Sequence, residues 1–235
     1  MLRVGLTGGL GSGKSTAARL FALRGAYILE SDAIGREMMQ PGNAVYTAIV
    51  ERFGPGVLLS DKRLDRAALA RVAFSEGRVE ELNAIVHPAV IERQAERARE
   101  IFDRDPKAVV IVESALIFET KYGETKQDDD SGATVAPWRT RFDCIILVTA
   151  SDEVRIERYL QRVSAGQPLT PERRAELTAD AHRRIAQQMP EDRKAALSDF
   201  ILTNDGPLAE LEQQIDELWP VLQFASANIV PAPEA

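Results

Sequence analysis

The chain has 235 residues, 45% of them hydrophobic, which is enough for one large domain, or for a core with an inserted subdomain. Its net charge of −7 argues against a broad nucleic-acid-binding surface, and no apolar run approaches the roughly 20 residues that span a bilayer. The single cysteine, Cys144, excludes an internal disulfide and is expected to be a small buried residue of a strand. The N-terminal segment does not resemble a signal peptide, so we expect a cytoplasmic protein without a membrane or nucleic-acid partner.

Five short apolar segments are predicted to be the strands of one sheet. They are LRVGLT (2–7), AYILE (26–30), VVIVE (109–113), DCIILVTA (143–150) and DFILTN (199–204). The continuous runs rich in β-branched residues are typical of parallel strands that are covered on both faces. Helical stretches lie between the segments, so the pattern is βαβ and the predicted class is α/β.

A glycine-rich segment, GGLGSGKS, follows the first predicted strand and precedes a predicted helix. It matches G-x-x-x-x-G-K-[ST], with Gly8, Gly13, Lys14 and Ser15 at the fixed positions. The pattern needs glycine because the loop wraps closely around a phosphate with its N–H groups pointing inward. Lys14 is predicted to contact the β- and γ-phosphates, and the Ser15 hydroxyl to bind Mg²⁺.

A phosphate loop alone does not distinguish a kinase from a GTPase or a motor ATPase. A GTPase should carry Asn-Lys-x-Asp late in the chain, and the nearest segment, TNDG at 203–206, lacks the lysine. The apolar run VVIVE ends in Glu113, which leaves the motor ATPase open. Arginine-rich helices after the fourth strand favour a small-molecule kinase, because they suit a lid that closes over ATP. Arg155, Arg158 and Arg162 share one helical face there, although a solvated basic face is the alternative.

Asp32 follows the second predicted strand, at the edge where ligands bind in open α/β sheets. A carboxylate at this position could accept a proton from an attacking hydroxyl. Alternatively, Asp32 or Ser31 caps a helix that begins near Ala33. The position alone does not decide between a catalytic base and a cap.

Two long intervals separate the predicted strands. The interval from 31 to 108 is predicted to contain helices at 44–54, 65–75 and 89–104 and to form one wall of a binding site. The polar interval 121–141, which includes three consecutive Asp residues, is predicted to be a solvated loop.

Six segments, taken together, resemble one enzyme family. They are GLTGGLGSGKST, SDAIGREMMQPG, LDRAALARVAF, LNAIVHPAV, ALIFE and RRIAQQM. In this order they resemble the dephospho-CoA kinases over about residues 2–220. The resemblance implies transfer of the γ-phosphate of ATP, with Mg²⁺, to the ribose 3′-hydroxyl of dephospho-CoA. A kinase of another small alcohol, such as a nucleoside or sugar, and a nucleotide-dependent switch or binding protein are the alternatives.

The resemblance also implies a three-layer P-loop kinase fold with a five-stranded parallel sheet, a helical insertion that binds the acceptor and a helical lid. We expect a monomer or a weak homo-oligomer. The predicted divisions are 1–32, 106–154 and 196–223 for the nucleotide-binding core, 33–105 for the insertion, 155–195 for the lid and 224–235 for a loose tail.

Individual roles are carried over from the family residue by residue. The catalytic residues implied are Asp32 as the base, Lys14 and Arg162. The ATP-binding residues implied are Gly9, Gly11, Ser12, Gly13, Lys14, Ser15, Thr16, Arg184 and Asn204, with Asn204 near the adenine and Ser15 on the metal. The acceptor-binding residues implied are Asp32, His87, Pro88 and Glu113. Without the resemblance, His87 before Pro88 would be a packing residue at a helix boundary.

Three positions depart from the usual family pattern. Glu30 and Glu113 stand where Asp is common, and Ala115 stands where Pro is common. A longer carboxylate keeps the charge but is expected to shift a ribose or metal contact. The interval 121–141 and the lid segment VSAGQPLTPE are also longer than usual.

Overall fold

A computed structural model describes residues 1–120 and 137–228 of the chain. Its five-stranded sheet is parallel throughout, in the order β2-β3-β1-β4-β5. The strands are β1 (Leu2–Thr7), β2 (Tyr27–Glu30), β3 (Val109–Glu113), β4 (Cys144–Thr149) and β5 (Phe200–Thr203). Each predicted strand is confirmed to within one residue at either end.

In the described residues, α-helices connect β1 to β2, β2 to β3 and β4 to β5. The described α-helices are α1 (Lys14–Leu23), α2 (Ser31–Met38), α3 (Ala44–Phe53), α4 (Arg66–Ala70), α5 (Val79–Phe102), α6 (Asp152–Val163), α7 (Pro171–Ala186), α8 (Glu191–Leu197) and α9 (Leu208–Asn228). Short 3₁₀ helices cover Pro55–Val57 and Pro137–Thr140, and a π-helical turn, Arg71–Ser75, follows α4. No helix in the described ranges is long and apolar enough to cross a membrane.

The sheet separates two apolar layers, as the continuous apolar runs predict. In β3, Val109 and Ile111 pack with α1 and α9 on one face, whereas Val110 and Val112 pack with α2 and α5 on the other. Successive side chains of a strand point to opposite faces, so a strand covered on both sides must be apolar at every position. Cys144 packs against the first layer, and burial raises the pKa of its thiol to about 12, as expected for an inert residue.

Helix α5 corrects two expectations. It begins at Val79 rather than at residue 89 and runs through Pro88 without ending. A proline removes one backbone hydrogen bond and usually kinks or ends a helix, but here packing of Val90 and Ala98 against the second apolar layer outweighs that loss. His87 therefore lies inside a helix, and its interpretation as a helix-boundary residue is wrong.

The interval 121–141 is not entirely a solvated loop. The Asp-rich part lies outside the described residues, whereas Trp138 is buried and meets Phe118 edge-on, with ring centroids 5.0 Å apart. The proposed tail also begins too early, because α9 continues to Asn228. Ser226 is buried and donates to the carbonyl oxygen of Lys107 at 2.7 Å, which fixes the last turn of α9 to the core.

Candidate active site

The phosphate loop joins β1 to α1 at the carboxyl edge of the sheet. Gly11 and Gly13 have φ of 72° and 96°, a left-handed conformation that glycine adopts at little cost. A Cβ on Gly13 would lie 2.1 Å from Asn204 Nδ2, so a larger residue would displace the loop. Asn204 Nδ2 donates to the carbonyl oxygen of Ser12 at 2.8 Å. Asn204, expected near the adenine, thus also holds the phosphate loop.

Several backbone N–H groups of the loop are available to an anion. Within residues 1–120 and 137–228, the N–H groups of Gly11, Gly13, Lys14 and Ser15 donate to no protein acceptor. Lys14 and Ser15 begin α1, whose N-terminal dipole also favours a negative charge. This is the arrangement that the glycine-rich motif predicts for a bound phosphate.

Lys14 lies in the loop with its ammonium group mostly removed from water. Its Nζ donates to the carbonyl oxygens of Gly8 at 2.8 Å and Gly9 at 3.1 Å. Burial lowers the Lys14 pKa to about 8, against opposing contributions from Glu113 and Asp32. A lysine of this kind is poised to regain its full charge when an anion enters the loop.

Ser15 and Glu113 bring oxygen atoms together at the end of β3. Ser15 Oγ donates to Glu113 Oε1 at 2.9 Å, and burial raises the Glu113 pKa. Mg²⁺ prefers oxygen ligands and usually binds through one or two protein groups together with substrate phosphates. No cluster of three acidic, His or Cys side chains that could hold a metal occurs in the described part of the chain. The residues therefore fit an ion that arrives with a nucleotide.

Asp32 lies in the first turn of α2, which begins two residues earlier than the helix expected near Ala33. The N-cap residue is Glu30, and it makes no side-chain capping bond. Among the described residues, neither hydrogen bonds nor ion pairs engage the exposed Asp32 carboxylate. The capping alternative is therefore wrong for Asp32, and its carboxylate is free to meet a ligand.

A pocket of about 350 Å³ opens beside Asp32, between α2, α5 and the segment after β3. Its lining residues are Ser31, Asp32, Gly35, Arg36, Met39, Arg66, Val86, His87, Val90, Ile91, Gln94, Ser114, Ala115, Leu116, Thr120 and Arg141. His87 Nδ1 lies 3.3 Å from Thr120 Oγ1, and burial lowers the His87 pKa. The pocket thus brings together Asp32 and His87, which are far apart in sequence.

Arg141, which the sequence did not single out, also lines this pocket. Arg141 donates to Gln94 Oε1 at 3.3 Å, and Gln94 Nε2 donates to Ser31 Oγ at 2.7 Å. Burial lowers the Arg141 pKa to about 10, so the guanidinium stays charged at neutral pH. No signal in the sequence distinguished Arg141 from the polar residues that precede it, because its place in the pocket and its hydrogen bond to Gln94 arise from tertiary packing.

The arginine face of α6 is turned toward the phosphate loop. Arg155 is almost fully buried and donates to the carbonyl oxygen of Leu10 at 3.0 Å, so it is not part of a solvated basic face. Arg158 contacts Asn204 Oδ1 at 3.4 Å. Arg162 is exposed, yet its charge contributes to lowering the Lys14 pKa. All three arginines therefore act on the same loop.

Arg184 shares the Tyr159 ring with Arg162, whose guanidinium lies 5.7 Å from the ring centre, but Arg184 also has an acidic partner. Its Nε lies 2.7 Å from Asp180 Oδ2 on the same helix, and its guanidinium lies 5.8 Å from the Tyr159 ring centre. Neither partner belongs to the phosphate loop. Of the two lid arginines predicted from the sequence, Arg162 has the stronger electrostatic link to the site.

A buried ion pair joins the segment after β3 to α8. Lys194 Nζ lies 2.8 Å from Glu119 Oε1, and the Lys194 side chain is only 2% exposed. Its positive charge also lowers the Lys14 pKa. Glu119 is the last residue of ALIFE, one of the six segments that carry the family resemblance. Nothing in the sequence singled out Lys194.

Comparison with known proteins identifies the family. A family model described as CoaE, dephospho-CoA kinase, matches residues 2–128. The dephospho-CoA kinase of Thermobifida fusca is 34% identical over 95% of this chain and 97% of its own length. The chain belongs to the dephospho-CoA kinase family. It is therefore an enzyme that transfers a phosphoryl group, and its P-loop kinase fold and predicted class are confirmed.

Two further matches agree with this assignment. The dephospho-CoA kinase of Mycolicibacterium paratuberculosis is 38% identical over 93% of this chain, which spans 47% of that relative's length. The crystal structure of TT1252 from Thermus thermophilus has a TM-score of 0.66 and 31% identity, covering 94% of this chain and 97% of that one. The match over nearly the whole of both chains includes the helices that surround the pocket and the loop.

Proposed function

We propose that this kinase transfers the γ-phosphoryl group of ATP to the ribose 3′-hydroxyl of dephospho-CoA, giving ADP and CoA. The observation that carries the proposal is the position of the Asp32 pocket beside the phosphate loop. Both open at the carboxyl edge of the sheet, and the Asp32 charge contributes to the Lys14 pKa. A phosphoryl group held by the loop and a hydroxyl held in the pocket would therefore meet near Asp32.

In this proposal each residue acts on a stated group. Asp32 accepts the proton of the attacking 3′-hydroxyl, while Lys14 and the loop N–H groups neutralise charge on the transferring phosphoryl group. Arg162 adds positive charge from the lid. Ser15 and Glu113 would hold Mg²⁺ with the nucleotide, and the ion supplies further neutralisation of the phosphates.

The acceptor pocket has the chemistry that dephospho-CoA requires beyond its ribose. Arg36, Arg66 and Arg141 line the pocket, and guanidinium groups bind diphosphates well. A second pocket of about 220 Å³ adjoins it, sharing Met39 and Arg66. Its other lining residues are Gln40, Leu59, Arg63, Leu64 and Leu69. The partly apolar walls suit the pantetheine arm, whereas a nucleoside or sugar would leave this second pocket empty.

The experiment is an ADP-release assay with ATP and Mg²⁺ against dephospho-CoA, adenosine and a sugar alcohol, with mass spectrometry of the product. We expect efficient turnover with dephospho-CoA alone and addition of one phosphate to the ribose. Preferred phosphorylation of adenosine or the sugar would overturn the acceptor assignment. Equal ADP release with and without an acceptor would instead favour the nucleotide-dependent switch.

The organisation of the molecule follows from the same proposal. We assign 33–105 to acceptor binding and 155–195 to a lid, because α2 and α5 line the pocket and α6 faces the loop. We further propose a cytoplasmic monomer or weak homo-oligomer. Light scattering of the purified chain with and without ATP tests the oligomeric state.

A further inference from the structure

Leu10, at the tip of the phosphate loop, makes three separate contacts, with α6, with the α6–α7 cluster and with the segment that follows α7. Its carbonyl oxygen accepts from Arg155 Nε at 3.0 Å, and its N–H donates to Gln188 Oε1 at 3.1 Å. Its side chain packs against an apolar cluster formed by α6 and α7. That cluster consists of Tyr159, Leu160, Leu177 and Ala181.

The residues on either side of Leu10 leave no space between the loop and α6. A Cβ on Gly9 would lie 2.2 Å from an Arg155 guanidinium nitrogen, and one on Gly11 would lie 2.2 Å from the Arg155 carbonyl oxygen. Glycine is therefore needed at position 11, where the neighbouring atoms belong to the Arg155 backbone, whereas a larger residue at position 9 would displace the Arg155 guanidinium. This requirement is not part of the phosphate-binding motif, in which both positions are variable.

Arg155 is itself fixed by one carboxylate of its own helix and by one of α8. Its side chain is 5% exposed and lies 2.9 Å from Asp152 Oδ1. It also pairs with Glu191, the first residue of α8, which in turn accepts from the Thr149 hydroxyl at the end of β4. A buried guanidinium that moved away from these partners would be an unpaired charge out of water, which is costly. Arg155 therefore has little freedom to leave the Leu10 carbonyl oxygen.

We infer that Arg155 is a positioning residue that sets the shape of the phosphate loop through Leu10, so that ATP affinity depends on the lid helices. The inference rests on the proposed role of this loop in binding ATP. Arg155 and Gln188 together hold the carbonyl oxygen and the N–H of Leu10, and these contacts fix the orientation of the loop tip. The N–H groups that follow, from Gly11 to Ser15, then stay directed to one phosphate position.

The test compares Arg155→Gln with the matched control Arg183→Gln. Arg183 is an exposed arginine of α7 whose ion pair is made with Asp180. Titration calorimetry with ADP and Mg²⁺ needs no acceptor, so it stays informative even if dephospho-CoA is not the substrate. We expect Arg155→Gln to weaken ADP binding about tenfold or more, as for loss of a charge-assisted hydrogen bond, and Arg183→Gln to leave it within twofold.

Steady-state kinetics separate positioning from general destabilisation. Arg155→Gln should raise the KM for ATP by a similar factor and leave the KM for dephospho-CoA within about twofold. Unchanged ADP affinity in a folded variant would overturn the inference. Equal losses for both substrates would also overturn it, because they would mean a general loss of native structure.

Two further variants keep the inference testable if Arg155→Gln fails to fold. Gln188→Ala removes only the acceptor of the Leu10 N–H, from a partly exposed side chain, and should weaken ADP binding several-fold. Glu191→Gln removes the charge that fixes Arg155 and should act in the same direction. Normal ADP affinity in both variants would show that the loop keeps its shape without the lid.

Discussion

At the scale of single residues, the site depends on charges that are held partly out of water and close to one another. The negative charges of Glu113 and Asp32 act to raise the pKa of Lys14, and the Lys14 charge acts to lower the pKa of Glu113. In a partly buried site these interactions are stronger than in bulk water. Removing or titrating one of them should therefore affect catalysis more than it affects folding.

Replacement of Asp32 by asparagine tests the catalytic base. The amide keeps the size of the side chain but cannot accept the proton of the attacking hydroxyl, so kcat should fall by about 10² to 10⁴. The KM for ATP should change little, because Asp32 lies in the acceptor pocket. Initial-rate measurements of kcat and chemical denaturation of the same variant distinguish a catalytic from a structural role of Asp32. An unchanged kcat with altered stability would mean a structural role only.

Nucleotide binding should be linked to the protonation of Lys14. In the free protein its pKa is about 8, and an entering polyphosphate favours the charged ammonium and raises that pKa. At pH 8.5 ADP binding should therefore take up a fraction of a proton, whereas at pH 6.5 Lys14 is already charged and contributes none. Calorimetry in buffers of different ionisation enthalpy measures this uptake.

The control for this linkage is Lys14→Met, which keeps the length of the side chain without a titratable group. Proton uptake at pH 8.5 should disappear in this variant even where weak binding persists. Uptake of the same size in wild type and variant would assign it to another group, such as Glu113, whose pKa is raised by burial.

At the scale of elements, α6 is the helix that links the phosphate loop to the lid. Its arginines are spaced so that Arg155, Arg158 and Arg162 lie along one side, and this side faces the loop. The Arg155 guanidinium is engaged by Leu10, Asp152 and Glu191. Arg162 is exposed and keeps its charge available for a ligand. The same helical face therefore has one end that positions the loop and another that can meet the nucleotide.

Arginine-to-alanine substitutions in the lid separate the two candidates for phosphate contact. Arg162→Ala should lower kcat/KM for ATP by about 10² or more, because an arginine that reaches the transferring phosphoryl group contributes strongly to rate. Arg184→Ala should change it by a few-fold at most, since Arg184 is paired with Asp180. Initial-rate kinetics at fixed dephospho-CoA give both values. The reverse order would assign the contact to Arg184.

At the scale of the whole molecule, the sheet separates two apolar layers, and the Asp32 pocket lies on the side of the second. The layer formed with α1 and α9 includes Ile215, which is fully buried in the first half of α9. The layer formed with α2 and α5 includes Phe118, which lies two residues from Leu116 and from Thr120 in the pocket wall. Both layers contribute to stability, but the second also shapes the acceptor site.

Core substitutions in either layer should therefore lower the free energy of unfolding, but only those in the second layer should also change the KM for dephospho-CoA. Ile215→Ala should cost about 2–5 kcal/mol and Phe118→Ala about 3–5 kcal/mol of unfolding free energy. Phe118→Ala should also raise the KM for dephospho-CoA several-fold, whereas Ile215→Ala should leave it near the wild-type value. Urea denaturation and kinetics below the unfolding transition measure both. Equal changes in KM would contradict this division of the core.

Features that depend on neighbouring residues could be predicted from the sequence. The five strands follow from short β-branched runs, the phosphate loop from glycine spacing, and the position of Asp32 from the end of a strand. These are local patterns, because backbone conformation and side-chain periodicity are set within a few residues. The ordered motifs also identified the family, and the comparisons confirmed it.

Which side chains meet across the chain follows from tertiary packing. Arg155 and Leu10 are 145 positions apart. Arg141 lines the pocket with its guanidinium 4.9 Å from the Phe142 ring centre and a hydrogen bond to Gln94 of α5. Whether an arginine is solvated or buried depends on the element that covers it, and no local pattern encodes that element. The same holds for Pro88, which remains inside α5 because burial of one helix face outweighs the loss of a single backbone hydrogen bond.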